Sequence, residues 1–261
     1  MDADRANEQL DHLGWVVVPN VFELGLIERL GPALDRAYAV CRDIQVKNGI
    51  ASDATDTAHH LVAIDDIFLE LLEAMARTPI WYVLERYFGG PFILNAYAGC
   101  RNSAGNSVYL NRIHRDIRSF SGDMPLMLNT LVMLDDFTTD NGATFLCTGS
   151  HRAAEKPDES DFYARSGRAL GPRGSMLLFN SNLWHAAGTN TTDSSRRAVT
   201  PMFTRPFFKP QADYPRMVGI ERRDHFSPRL QQMLGYHARV PASLDEWYQP
   251  PEHRAYRSDQ G

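Results

Sequence analysis

Cysteine is scarce in this sequence, and no two cysteines stand close together. The three that occur, Cys41, Cys100 and Cys147, are odd in number and form no CxxC pair. This pattern excludes a zinc ribbon or a disulfide framework and favours a reducing compartment. The polar, acidic start of the chain, residues 1–5, is unlike a secretory signal. We therefore expect a cytoplasmic protein.

Long apolar runs and an excess of positive charge are also missing. No apolar run approaches the ~18 residues that a membrane-spanning helix needs. The 32 acidic residues outnumber the 27 basic ones, which gives a net charge of −5. That balance argues against a general binder of nucleic acid or of anionic membranes. A chain of 261 residues with 43% hydrophobic content can bury a substantial globular core.

The apolar pattern changes character at Pro91. Before it, apolar residues recur at helical spacing in three segments: Glu23 to about Val40, 67–75 and 80–87. After it, short β-like runs alternate with turn residues, at 92–97, 108–113, 126–134, 143–147, 175–179 and 198–203. This spacing indicates an antiparallel barrel or sandwich. We expect a single domain over 1–261, with a helical part at about 20–90, a β-barrel core at about 91–207 and a C-terminal irregular extension at 208–261.

Three side chains in the β region form a candidate metal site. His114 and Asp116 are two residues apart, so in an extended segment both point to one side while Arg115 faces away. His185 follows a predicted strand and a turn. Two imidazoles and one carboxylate on one face of an octahedral ion suit a non-heme Fe(II) oxygenase. A His-x-Asp pair alone arises often by chance, so its context decides.

Two neighbouring arginines, Arg196 and Arg197, begin the next apolar strand. The planar guanidinium group can hold a carboxylate through two parallel hydrogen bonds. Adjacent strand residues face opposite ways, so only one of the two can point into a pocket, and the pattern leaves open which. The alternative is that both are surface charges paired with Asp193.

Five stretches resemble, in the same order, the phytanoyl-CoA dioxygenase-like family of Fe(II)/2-oxoglutarate-dependent oxygenases. They are 13–19, the His114/Asp116 pair, 131–151 with its Asn-Gly and Gly-Ser-His segments, 174–185, and Arg196 at 196 − 185 = 11 positions after the distal histidine. The match runs from about residue 10 to 210. In some members of the family an aromatic residue stands at the position of Leu131 and a serine at that of Ala187.

The resemblance implies a fold that is mainly β with helical additions, a double-stranded β-helix (jelly-roll, cupin-like) barrel with helices packed on one sheet. It also implies Fe(II) as the metal, 2-oxoglutarate as cosubstrate and O₂ as oxidant. The implied roles fall on seven residues: His114, Asp116 and His185 as metal-binding and catalytic residues, Arg196 on the far carboxylate of 2-oxoglutarate, and Asn111, Thr144 and Asn95 as further cosubstrate contacts. His151 is read as part of a structural turn.

The implied reaction hydroxylates an unactivated C–H bond of a small-molecule metabolite and releases succinate and CO₂; desaturation or cyclisation could follow instead. Halogenating relatives have a small residue in place of Asp116, so its presence favours hydroxylation. Two alternatives stay open: a metal-dependent hydrolase with a zinc-bound water, and a non-catalytic jelly-roll binding protein.

No residue is assigned to the substrate. His59 or His60 could reach it at the mouth of the site. Basic side chains near the site would suit an anionic substrate, and phenylalanines would suit an apolar one: Arg101, Arg112, Arg118, Arg205 and Lys209, or Phe120, Phe207 and Phe208. The oligomeric state is open, a homodimer included.

Overall fold

The computed structural model of the chain describes residues 2–50, 57–104 and 109–254. Nine strands lie in this part of the chain: β1 (Trp15–Val18), β2 (Thr57–His59), β3 (Ile93–Asn102), β4 (Met127–Met133), β5 (Phe145–Cys147), β6 (Ser166–Arg168), β7 (Met176–Asn180), β8 (His185–Ala186) and β9 (Arg196–Thr204). They form a six-stranded sheet in the order β1-β7-β4-β9-β3-β2 and a three-stranded sheet in the order β6-β5-β8. Every pairing is antiparallel.

The helices of the described chain lie mostly before β3 and after β9. They are α1 (Ala3–Leu13), α2 (Leu24–Lys47), α3 (Ile67–Ala76), α4 (Ile80–Phe88), α5 (Glu159–Arg165), α6 (Tyr214–Val218), α7 (Pro228–Met233) and α8 (Leu244–Trp247), with short 3₁₀ segments at 61–63, 109–111, 150–152, 220–225 and 251–253. In the part of the chain that is described, no helix combines the length and the apolar character that crossing a bilayer requires.

The larger sheet is covered on both faces, as β4 illustrates. All seven residues of this strand are buried. Leu128 and Val132 belong to the apolar core shared with the helices, whereas Leu131 and Met133 belong to a second core that contains Leu146 of the small sheet. Alternate β4 side chains therefore pack on helices or face the other sheet. The inward-facing polar residues lie in the space between the two sheets.

Helix α2 packs closely on the outer face of β3. Its residues Ile27, Leu30 and Leu34 are fully buried on one side. A Cβ atom at Gly99 of β3 would lie 2.1 Å from Cδ1 of Leu34, so only glycine lets the helix come this near to the strand. The close contact fixes the outer surface of the sheet whose inner surface carries the site.

Most of the expected strands are present, with one error. The run 108–113 was expected to be a strand, but Tyr109–Asn111 forms a 3₁₀ turn, and residue 108 lies outside the described residues. The turn is compatible with the local polar residues and carries the chain toward the small sheet. Two N-terminal strands, β1 and β2, join the edges of the larger sheet, so the sheet is not confined to residues after Pro91.

Candidate metal and cosubstrate site

Two segments distant in sequence, one with His114 and Asp116 and the other with His185, come together. One ligand atom from each of the three lies within 4.8 Å of the others. The Nε2 atom of His114 is 3.7 Å from Oδ1 of Asp116, and the Nε2 atom of His185 is 3.6 Å from Oδ2. The two imidazole rings tilt toward each other with centroids 4.3 Å apart. This spacing leaves room for a single ion between the three groups.

The backbone holds the two histidines side by side. His114 and His185 form an antiparallel bridge in which each amide donates to the other residue's carbonyl, at 3.0 and 2.8 Å. The bridge adds the His114 segment beside β8 of the small sheet. A residue pair that exchanges both hydrogen bonds has little freedom. The bridge therefore fixes the positions of the two side chains although the backbone around His114 is not a regular strand.

Each imidazole is also oriented by its second nitrogen. Nδ1 of His114 lies 2.7 Å from the carbonyl oxygen of Arg112, and Nδ1 of His185 lies 3.0 Å from that of Leu183. A carbonyl oxygen only accepts hydrogen bonds, so Nδ1 of each ring is the donor and, in the neutral form of the ring, carries its one proton. The lone pair is then on Nε2, the atom that faces Asp116. Metal-binding histidines in proteins are commonly oriented in this way.

Burial keeps His185 neutral. It lowers the pKa of the imidazole to about 4; the neighbouring His114 acts in the same direction, and Asp116 and the hydrogen bond to the Leu183 carbonyl oppose both. At neutral pH the ring is therefore unprotonated and able to donate its Nε2 lone pair. A neutral imidazole is the form that a metal ion binds.

The triad opens into a cavity of about 510 Å³ between the sheets. Its wall combines charged, polar and apolar side chains from both sheets and from two loops: Thr57, His59, Ala96, Ala98, Cys100, Leu110, His114, Arg115, Asp116, Arg118, Asn129, Thr130, Leu131, Thr144, Phe179, His185, Ala187, Arg196, Thr200, Met202 and Gln211. Among these residues Asp116 is the one acidic group. Leu131 and Ala187, the two positions that differ from some members of the resembled family, are both in this wall.

Arg196 and Arg197 face opposite sides of β9. Arg196 lines the cavity with 3% of its surface exposed, and its guanidinium carbon lies 4.1 Å from the centre of the Phe137 ring. Its Nε and Nη1 atoms are buried and have no hydrogen-bond partner within the described residues. Arg197 instead binds both carboxylate oxygens of Asp135, at 3.1 and 2.8 Å. Of this pair, the arginine with unsatisfied nitrogen atoms is therefore the one that lines the cavity.

The three further cosubstrate candidates are placed differently. Thr144 lines the cavity. The Oδ1 atom of Asn111 is buried without a partner within the described chain, but the residue is not part of the cavity wall. Asn95 lies at an irregular point of β3, where its side chain donates to the carbonyl of Lys209 at 3.4 Å, also outside the wall. Of the three, the cavity thus includes Thr144.

The histidine pair 59–60 is divided between two roles. His59 lines the cavity, whereas Nδ1 of His60 lies 3.1 Å from the hydroxyl of the buried Tyr214. Arg118 is exposed and also lines the cavity. His151 lies apart from the triad and contacts the carbonyl of Asp11 through Nε2 at 3.2 Å, in keeping with a structural turn.

Sequence reasoning missed several residues of the wall. Asn129 interrupts the apolar run of β4 on the strand face shared with Leu131, and its amide donates to Oδ2 of Asp116. Gln211 comes from the C-terminal part of the chain. A buried asparagine two positions from an inward-facing leucine was a usable signal, because alternation places both side chains on one face. Gln211 had no such signal.

Comparisons with known proteins agree with this geometry. The sequence profile described as Phytanoyl-CoA dioxygenase (PhyH) matches residues 11–198. The uncharacterized protein Rv1501 of Mycobacterium tuberculosis is 32% identical over 267 aligned residues, covering 99% of this chain and 96% of that protein.

Two solved structures share the fold. HygX of Streptomyces hygroscopicus, with nickel and 2-oxoglutarate bound, has a TM-score of 0.61 at 18% identity and is covered over 93% of its length by 82% of this chain. The epimerase SnoN, in complex with Fe³⁺, alpha ketoglutarate and nogalamycin RO, has a TM-score of 0.61 at 17% identity, over 80% of this chain and 86% of SnoN. Because the family profile covers most of the sequence, this chain belongs to the phytanoyl-CoA dioxygenase family.

Proposed function

We propose that the protein is an Fe(II)- and 2-oxoglutarate-dependent oxygenase that hydroxylates an unactivated C–H bond of a small-molecule metabolite. The observation that carries this proposal is the pairing, in one cavity, of a two-histidine, one-carboxylate cluster with a buried arginine that has no anion. The cluster fits the iron ion, and the arginine fits a carboxylate of 2-oxoglutarate. HygX and SnoN, which share the fold, are described with a metal and this cosubstrate bound.

The donor set fits iron. Two imidazoles and one carboxylate, with ligand atoms within 4.8 Å of one another, match the donor set used by non-heme Fe(II) oxygenases. His114, Asp116 and His185 would hold the ion, with Nε2 as the donor atom of each ring. The same three side chains line the cavity, which has room for further ligands.

The arginine fits the far carboxylate of 2-oxoglutarate. A buried guanidinium without a hydrogen-bonding anion is unfavourable by several kcal/mol. Burial lowers the pKa of Arg196, which reflects the same cost of keeping the charge away from water. A dicarboxylate could satisfy Arg196 at one end and reach the metal at the other. Thr144 lies in the same wall and offers a hydroxyl group.

When bound, the iron and 2-oxoglutarate supply the oxidising chemistry, with succinate and CO₂ as products. The residues of the chain orient these groups and exclude water from them. Arg196 fixes the cosubstrate at one end, and His114 and His185 are held by backbone carbonyls at their second nitrogens. The apolar wall residues Leu131, Phe179 and Met202 limit water near the metal. Control of a reactive cofactor by orientation and exclusion is the usual contribution of the protein.

We also propose that the two sheets are the halves of a double-stranded β-helix and that the chain forms one domain over 1–261. Support comes from the shared apolar core between the sheets, which includes Leu131 and Leu146. Gln211 of the C-terminal extension lines the same cavity as the triad. This residue supports including the extension in the unit that builds the site.

Hydroxylation, as the type of reaction, is the most specific part of the proposal. Hydroxylation is favoured by Asp116, since halogenating relatives have a small residue there. SnoN is described as an epimerase, so the same fold serves more than one outcome. On the substrate side, His59, Arg118 and Gln211 lie in the cavity wall and offer polar contacts.

A screen of metabolites for stimulated 2-oxoglutarate decarboxylation tests the proposal. We expect Fe(II)- and O₂-dependent succinate formation that rises with the true substrate. A zinc hydrolase would instead turn over its substrate without O₂, and a non-catalytic binding protein would form no succinate. Metal analysis of the purified protein and an anaerobic control separate the three functions.

A further inference from the structure

A buried asparagine that no family role accounts for lies next to the proposed metal site. Asn129 is on the inner face of β4, opposite Met202 of β9 and Phe179 of β7, with 1% of its surface exposed. A buried side-chain amide is unfavourable unless its donors and acceptor find partners. Its partners therefore indicate what the residue does.

Those partners fix the orientation of the amide. The Nδ2 group donates to Oδ2 of Asp116, and Oδ1 is 3.0 Å from the hydroxyl of Ser181. An ionised carboxylate only accepts hydrogen bonds, so the nitrogen must face Asp116. The oxygen then faces Ser181, whose hydroxyl is the donor. The order Ser181, Asn129, Asp116 is thus a directed chain of two hydrogen bonds.

The chain of hydrogen bonds joins the parts of the fold that carry the metal ligands. Asp116 comes from the segment after the 3₁₀ turn, Asn129 from the centre of the larger sheet, and Ser181 from the turn that leads to His185. Ser181 is itself buried. Movement of the carboxylate would break a hydrogen bond to a strand that is fixed on both sides.

We propose that Asn129 is a positioning residue that occupies Oδ2 of Asp116, so that Oδ1 is the oxygen available to the metal ion. This inference rests on the proposed function. The two histidines and one carboxylate oxygen would take three of six positions, and 2-oxoglutarate, through its keto and carboxylate oxygens, two more. One position then stays open, which a carboxylate binding through both oxygens would close. Ser181 acts through Asn129 by fixing its amide.

Metal affinity tests the inference without turnover. The metal-free protein is titrated with Co(II) by calorimetry, in the absence of O₂ and 2-oxoglutarate. The variant Asn129→Leu keeps the number and branching of the side-chain atoms and removes the donor, and we expect a 10- to 100-fold loss of Co(II) affinity, the usual range for a group that orients a metal ligand. Ser181→Ala should lose less.

A double-mutant cycle separates positioning from general damage. If Ser181 acts only through Asn129, adding Ser181→Ala to Asn129→Leu should cost no further affinity. The matched control is Asn7→Leu, because Asn7 is also buried and its amide also donates hydrogen bonds, in this case to the carbonyls of Ala3 and Val83, but it lies away from the site. It should bind Co(II) within twofold of the wild type.

Three results would overturn the inference: wild-type affinity in Asn129→Leu, additive losses in the double variant, or an equal loss in Asn7→Leu. Failure of the proposed function is different and can be distinguished. In that case the wild-type protein itself would not bind Co(II), or would bind it and form no succinate from 2-oxoglutarate with Fe(II) and O₂.

Discussion

The guanidinium group of Arg196 stacks on the ring of Phe137 at 4.1 Å inside the cavity, while its neighbour Arg197 is paired with Asp135 on the other side of the same strand. The two neighbouring arginines thus differ in whether a carboxylate pairs with their charge. One is neutralised by an acid of the chain, and the other has no anion among the described residues. The difference gives separate expectations for the two positions.

Replacing Arg196 should weaken 2-oxoglutarate binding. Truncating one partner of a buried hydrogen-bonded charge pair removes about 2–5 kcal/mol, so we expect at least a 30-fold higher Kd for 2-oxoglutarate in Arg196→Gln. Calorimetric titration of the Fe(II)-loaded protein without O₂ measures it. The matched variant Arg197→Gln should keep its affinity within a few-fold, and an equal loss in both variants would contradict the assignment.

The same position should show a trade between stability and function. Replacing a buried ion pair by apolar residues of similar volume is often neutral or stabilising by about 1–4 kcal/mol, and a buried charge without a partner is more costly still. We therefore expect Arg196→Met to raise the Tm of the ligand-free protein. Added 2-oxoglutarate should raise the Tm of the Fe(II)-loaded wild type, by mass action, and leave the variant unchanged. A lower Tm in ligand-free Arg196→Met would show that the charge is satisfied within the fold.

Removing one metal ligand should abolish iron binding. His114→Ala and Asp116→Ala each leave two donors, too few to hold Fe(II) against water, so bound iron and 2-oxoglutarate turnover should both be lost. Metal content after dialysis and succinate formation measure the two effects. His151→Ala is the control, because that histidine contacts the Asp11 carbonyl away from the triad. Unchanged turnover in Asp116→Ala would exclude the proposed ligand set.

The burial of His185 predicts how the metal-free protein responds to acid. Its pKa is about 4 when folded and 6.5 in the reference state. Between these values the unfolded chain binds a proton that the folded chain does not, so stability is fully present above pH 6.5 and falls as the pH is lowered toward 4. The loss from this residue approaches ~3 kcal/mol near pH 4.

Denaturant unfolding of the metal-free protein at pH 7 and pH 5 measures this dependence. The variant His185→Gln lacks the titrating group and should lose less stability over the interval than the wild type. Burial also lowers the pKa of His59, His60 and His151. These histidines are present in both proteins, so their contributions to the pH dependence cancel in the difference. Equal slopes for the two proteins would mean that His185 titrates normally.

The secondary structure that follows from local pattern was predictable. The apolar run at 126–134 corresponds to β4 and the run at 175–179 to β7, because strands covered on both faces are continuously apolar. The helix from Glu23 was placed correctly at its start but extends to Lys47 rather than about Val40. Its last turns are largely exposed, and their apolar residues Val40, Ile44 and Val46 face solvent, so no buried apolar stripe marks them.

Elements that depend on distant partners were not predictable. Helix α1 is mostly polar and buries Ala6, Asn7 and Leu10 only because other elements cover them. Strand β2 has three residues and exists through pairing with β3. The order of His114, Asp116 and His185 along the chain suggested a common site, but the bridge between the two histidines is a tertiary contact that no local pattern encodes.

The central claim is that one ion held by His114, Asp116 and His185 and one 2-oxoglutarate held by Arg196 share this cavity. Anaerobic titration of the Fe(II)-loaded protein with 2-oxoglutarate, followed by visible absorption, tests it most directly. We predict a metal-to-ligand charge-transfer band that saturates at one 2-oxoglutarate per chain, is missing in Asp116→Ala and requires at least 30-fold more cosubstrate in Arg196→Gln. Stoichiometric iron with no band at saturating 2-oxoglutarate would contradict the account.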